Sequence, residues 1–192
     1  MTLRLCYLPP VFIDKDFIST LGEGRELSSE ETDGFRFAGN CLRAEKAALR
    51  LITRAEQNLR GLSRKLQKRG HEPACIQPVL SRLADLGLLD DQRFVRLWLE
   101  SRLSGRTDSP RRLLSSLRAR GIERADAESG LRAALDLDTE WELLLRYVNK
   151  LKKSRSFRKN FDKTGAGRSL KFILKSEGFS PQAIQKFEDT DD

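Results

Sequence analysis

The sequence predicts an all-α fold of three tandem three-helix repeats in an elongated, curved array, behind a short N-terminal extension compatible with a strand or hairpin. Three observations carry this expectation. From Leu42 onward apolar residues recur three or four positions apart, the spacing of one helix face, rather than in the alternation of a half-buried strand. A glycine closes successive stripes, as expected of helix C-termini. When Gly70, Gly121 and Gly178 are aligned, 51 and 57 residues apart, their surroundings coincide. Eight positions before them stand Leu62, Leu113 and Leu170, four before Leu66, Leu117 and Leu174, and six after Ile76, Ala127 and Ile184. A unit of this size buries little alone, so stacking on neighbours is expected.

The extension is residues 1–40. Leu3-Arg-Leu-Cys-Tyr-Leu8 and Val11-Phe-Ile13, separated by two prolines, supply its candidate strands, and Ser28-Ser-Glu-Glu31 has the spacing of a capping box. Repeat one, residues 41–88, carries stripes through Ala44, Ala48 and Leu51, through Leu62 and Leu66 to Gly70, and through Ile76, Val79 and Leu83 to Gly87. Repeat two, residues 89–137, opens at Asp90 or Asp91, whose carboxylate can meet free backbone amides ahead of Phe94, Leu97 and Trp98. Asp91 is the expected cap. Ser109-Pro110 then places a cap before a proline at the first helical position, and Gly121 ends that helix. Repeat three, residues 138–192, is expected to open with a capping box at Thr139-Glu-Trp-Glu142 and to close with an acidic tail. Its Gly165-Ala-Gly167 and neighbouring basic residues read as an exposed connection.

The chain has 36 Lys and Arg against 28 Asp and Glu, a net charge of +8, which favours a polyanion or an acidic protein groove as partner. Residues 1–40 hold four basic residues and seven carboxylates, so the positive charge lies beyond them. Opposite the leucine stripe of each second helix the residues are basic: Arg60, Arg64 and Lys68, then Arg111, Arg112 and Arg118, then Arg168, Lys171 and Lys175. Three equivalent positive faces are the candidate contact surface; a solvated helix face is the plain alternative. Between 146 and 175 eleven Lys or Arg stand against Asp162 alone. Phe157 and Phe161 lie among them and fit either base stacking or core packing.

Catalytic readings lack parts. Gly165-Ala-Gly-Arg-Ser169 has neither the lysine nor the spacing of a phosphate-binding loop. Asp14-x-Asp16 and Asp136-x-Asp138 fit helix starts better than a cation site, and the lone His71, directly after Gly70, fits packing. Trp98 and Trp141 fall on apolar stripes and read as core. Cys6, Cys41 and Cys75 are odd in number and widely spaced, which suggests a reducing compartment and no zinc. No signal-peptide core or membrane span is legible, so the expected location is the cytoplasm. No catalytic residue, metal or cofactor is expected.

Leu86-Gly-Leu-Leu-Asp-Asp-Gln-Arg-Phe94, Arg102, Leu113, Leu117 and Arg120-Gly-Ile122 together resemble the RecX family of bacterial recombination regulators. The resemblance extends to Ala47-Ala-Leu-Arg-Leu-Ile-Thr-Arg54 and on to Gly70, and to Leu170, Gly178-Phe179 and Ile184. It implies the three-repeat fold, with Gly70, Gly87, Asp90, Asp91, Phe94, Gly121 and Gly178 as its structural markers. It also implies a non-enzymatic regulator that binds the RecA recombinase filament on single-stranded DNA; a monomer is expected. Such a protein would lower RecA ATPase, strand-exchange and coprotease activity. The loop Ser104-Gly-Arg-Thr-Asp-Ser-Pro110, Glu177 and Gln57-Asn58 depart from the family pattern. A stand-alone helical DNA-binding protein, using the same basic faces on phosphates, is the second reading.

Overall fold

The computed structural model describes residues 26–154 and 166–191. The candidate strands between Leu3 and Ile13, the pair Asp14 and Asp16, Cys6, Phe157, Phe161 and Gly165 lie outside them. Among the described residues the regular structure is nine α-helices and no strand. The chain divides into two compact units, Met1–Asp90 and Asp91–Asp192.

The first unit contains α1 (Ser29–Ile52), α2 (Leu59–Lys68) and α3 (Pro73–Asp85). The capping box ahead of α1 is present: Glu31 N–H donates to Ser28 Oγ at 3.1 Å, and Ser28 N–H donates to Glu31 Oε2 at 2.8 Å. Because this helix starts at Ser29 it runs unbroken through residue 40, where the sequence suggests a change of character. Small residues Cys41, Ala44 and Ala48 line its inner face, letting α1 lie close to Leu62, Leu66, Ile76, Val79 and Leu83. The buried Glu45 accepts from Arg82 Nε at 2.9 Å, tying α1 to α3. Gln57 is buried in the α1–α2 turn; its Nε2 donates to Ala55 O at 2.8 Å, and its Oε1 accepts from Lys65 at 2.6 Å. A side chain longer than serine is what spans this turn.

The second unit contains α4 (Asp91–Gly105), α5 (Pro110–Arg120), α6 (Arg124–Ala134), α7 (Leu137–Lys153), α8 (Ala166–Ser176) and α9 (Pro181–Asp191). Repeats two and three share one apolar core here, in which Val95, Leu99, Leu113 and Leu117 join Leu143, Leu144, Leu174 and Ile184. Asp91 is the first residue of α4, so Asp90, not Asp91, precedes the helix. Ser109 caps α5 as expected, with Pro110 at its first position. The start of α7 differs from expectation. Its cap is Asp136, which accepts from Thr139 N–H at 2.8 Å, so the helix opens at Leu137 and Thr139 sits inside the first turn. A carboxylate three residues upstream already caps this helix end, leaving the Thr139-Glu-Trp-Glu142 spacing unused as a cap.

The repeat is plain in the backbone. Gly70, Gly121 and Gly178 have φ of 81°, 95° and 86°, a left-handed conformation that only glycine adopts without strain. In each case the next residue's N–H reaches back across the turn: His71 to Leu66 O, Ile122 to Leu117 O and Phe179 to Leu174 O, all at 3.2 Å. This is the geometry that satisfies carbonyls at a helix end while turning the chain. Gly87, with φ of 67°, does the same after α3, where Leu88 N–H donates to Leu83 O at 2.9 Å. Of the residues following the three repeat glycines, Ile122 and Phe179 are buried and His71 is half-buried.

Candidate interaction surface

Each second helix of a repeat turns its leucines inward, and the other face follows from 3.6 residues per turn. On α2, Leu62 and Leu66 are fully buried while Arg60, Arg64 and Lys68 are exposed. On α5, Leu113 and Leu117 are buried while Arg111, Arg112 and Arg118 are exposed. On α8, Leu170 and Leu174 are buried while Lys171 and Lys175 are exposed; the side chain of Arg168 lies outside the described residues.

Exposure does not make these cations equivalent. Arg111 serves as a joint: its N–H donates to Glu177 O at 2.9 Å and its Nη1 to Ser176 O at 3.3 Å, at the C-terminal end of α8. Ser109 Oγ donates to the Glu177 carboxylate at the same joint. Glu177, where the family pattern expects a base, therefore holds the start of α5 against the end of α8. Arg112 pairs with Asp108 at 3.2 Å, and Lys171 with Glu188 at 2.8 Å. Arg60, Arg64, Lys68, Arg118 and Lys175 have no side-chain hydrogen bond or ion pair with another described residue. They are the part of the expected surface that an outside anion meets without competition.

Two half-buried tryptophans stand at the rim of the second unit's core rather than inside it, contrary to the reading from their apolar stripes. The ring of Trp98 is flanked by two guanidinium groups, Arg102 at 5.0 Å and Arg120 at 4.8 Å from its centroid. Burial, then the charge of Arg102, lowers the pKa of Arg120 below the usual arginine value. Arg102 also lies 3.7 Å from Asp108. Trp141 packs on Phe187 with centroids 6.3 Å apart and receives Lys186 at 5.0 Å. Indoles on a helix stripe read as core from spacing alone; a cation over the ring keeps them at the surface instead.

A cleft of about 730 Å³ lies in the second unit between the start of α5, the α6–α7 connection and the α8–α9 turn. Leu131, Leu135 and the exposed Leu137 line it beside Asp136, Asp138 and Glu140. The carboxylates are already engaged. Asp136 caps α7, and the hydrogen bond from Thr139 holds its carboxyl below the usual range. Asp138 lies 3.7 Å from Lys186. Glu140 is buried and accepts from both Ser180 N–H and Ser180 Oγ–H at 2.7 Å. Among the described residues no three His, Cys, Asp or Glu side chains converge as metal ligands, and no helix is long and apolar enough to cross a membrane.

Residues 90–131 match the family model described as RecX, second three-helix domain. Over 164 residues the chain is 34% identical to a protein named Regulatory protein RecX from Treponema pallidum (strain Nichols), covering 85% of this chain and 94% of the relative. It is 39% identical over 102 residues to one of the same name from Halorhodospira halophila, covering 53% of this chain and 61% of that one. A crystal structure of regulatory protein RecX superposes with a TM-score of 0.73 at 19% identity, over 90% of this chain and 83% of that chain. RecX from Lactobacillus salivarius gives 0.61 at 19% identity, over 80% and 97%.

Proposed function

Because the chain belongs to the RecX family, we propose that it is a regulator that binds the RecA filament on single-stranded DNA and lowers its ATPase, strand-exchange and coprotease activities in recombination and repair. It acts in the cytoplasm as a monomer, without catalysis of its own. The observation that carries this reading is the set of exposed cations without a side-chain partner among the described residues, on corresponding helices: Arg60, Arg64 and Lys68 on α2, Arg118 on α5 and Lys175 on α8. A surface that pairs its own charges has little left for a partner, whereas these side chains keep their full attraction for acidic groups along a filament. Arg111 and Arg112 contribute by holding the surface together, since both are engaged within the unit.

The test is RecA ATPase on single-stranded DNA with paired charge reversals. Arg118→Glu with Lys175→Glu is expected to raise the protein needed for half-inhibition about tenfold or more, with helicity unchanged. Full inhibition at the wild-type ratio by this variant and by Arg60→Glu/Arg64→Glu/Lys68→Glu would remove these faces from the contact.

A further inference from the structure

Phe172 is the most exposed large apolar side chain among the described residues, with 74% of its surface open against 57% for Leu137 and 56% for Leu86. It lies on α8 between Leu170 and Leu174, the two leucines that this helix buries, and so stands about 200° around the axis from each. The helix period carries it away from the core. Counted six positions back from the three repeat glycines, Phe172 corresponds to Arg64 and Ser115, and all three are exposed. The position faces outward in every repeat, and only the third places an aromatic ring there. Lys171 precedes it and Lys175 follows one turn on, both exposed, and α8 contains no carboxylate. Lys171 reaches Glu188 of α9 at 2.8 Å, whereas Lys175 has no side-chain partner among the described residues.

We infer that Phe172 is the apolar anchor of the third repeat's contact face and seats in an apolar pocket with an acidic rim on a protein partner. Under the proposed function, on which this rests, that pocket belongs to a RecA protomer of the filament. A phenylalanine ring left in water is a large apolar area that association can bury, and aromatic side chains ringed by polar groups are where binding energy concentrates. Cations beside the ring select a pocket whose rim is acidic and disfavour a basic one. A nucleic-acid strand fits the arrangement less well. Stacked bases need successive aromatic platforms, but the equivalent positions hold arginine and serine, and lysine lacks the two-pronged fit of guanidinium to phosphate.

The experiment is RecA ATPase on single-stranded DNA, titrated with full-length Phe172→Ala at low and moderate salt, beside anisotropy of the same variant on labelled oligo-dT without RecA. The variant is expected to need about tenfold more protein for half-inhibition, with helicity unchanged because an exposed ring adds nothing to the core. That loss should persist as salt rises, since salt screens charges and not apolar burial, while the loss from Arg118→Glu/Lys175→Glu changes with salt. Phe172→Leu should restore most of the inhibition, because an apolar pocket accepts either side chain. Leu137→Ala, at an exposed apolar position elsewhere in the unit, should inhibit like wild type, and oligo-dT affinity of Phe172→Ala should equal that of wild type. Undiminished inhibition by Phe172→Ala would overturn the anchor and leave the proposed function standing. Absence of inhibition by the wild-type protein would remove the proposed function, and the anchor with it. A parallel loss of oligo-dT affinity in Phe172→Ala would also overturn the anchor, because the ring would then stack on bases.

Discussion

Glu140 carries more of the third repeat than its place in the sequence suggests. Its carboxylate is buried and takes two hydrogen bonds from Ser180, the residue ahead of α9, whose hydroxyl in turn accepts from Ala183 N–H at 3.2 Å. Removing one partner of such a network leaves a buried donor unpaired, which costs about 1–3 kcal/mol. Glu140→Ala is therefore expected to lower stability by that amount in urea unfolding, while Glu142→Ala, exposed on the same helix, should change it by less than about 0.5 kcal/mol. Equal effects would show that the carboxylate is not the link. Cys41 and Cys75 make a second residue-scale case. Both are fully buried between α1 and α3, and burial, then the neighbouring Cys75, pushes the Cys41 thiol up to about 12. A raised pKa favours the protonated form on folding, so this contribution is present below pH 9, the ordinary thiol value, and is lost as pH rises towards 12. With Cys6→Ser removing the remaining cysteine, the folded protein at pH 8 should react with a thiol reagent only at its opening rate. Prompt labelling would contradict this.

At the scale of elements, the glycine-capped turns were legible because their cause is local. A left-handed residue closes the helix and the next amide returns to the preceding turn, all within six residues, so Gly70, Gly121 and Gly178 align in sequence as they do in space. What joins one helix to another was not legible. Arg146 donates to Leu103 O at 2.8 Å, sealing the end of α4 from α7 across 43 residues. Arg111 reaches α8 across 65, and periodicity could place it on a polar face but not against a helix end. The surface position of Trp98 is hidden in the sequence for the same reason, since Arg120 is distant along the chain. Gly130 is a further contact between helices that spacing does not show: a Cβ there would collide with Val95 of α4, so its absence lets α6 pack close. Alanine is better than glycine by about 1 kcal/mol in a helix interior, yet overpacking costs about 1–3 kcal/mol. Gly130→Ala is accordingly expected to destabilise the protein on balance. Gly34→Ala in α1, where a Cβ meets open space, should stabilise it by up to about 1 kcal/mol. The thermal midpoints of the two variants should move in opposite directions.

For the whole molecule, two compact units carry distinct basic features. The first has the α2 face of Arg60, Arg64 and Lys68; the second has Arg118 and Lys175 among cations already engaged in its own joints. The excess of 36 basic over 28 acidic residues is thus resolved into charges that hold the fold and charges left for a partner. The most direct measurement of the central claim is RecA ATPase turnover on excess single-stranded DNA, titrated with this protein far below the RecA concentration. Strong inhibition is expected at those ratios, because one regulator on a filament affects many protomers while competition for DNA would need much more protein. Undiminished turnover until the protein coats the DNA would contradict it.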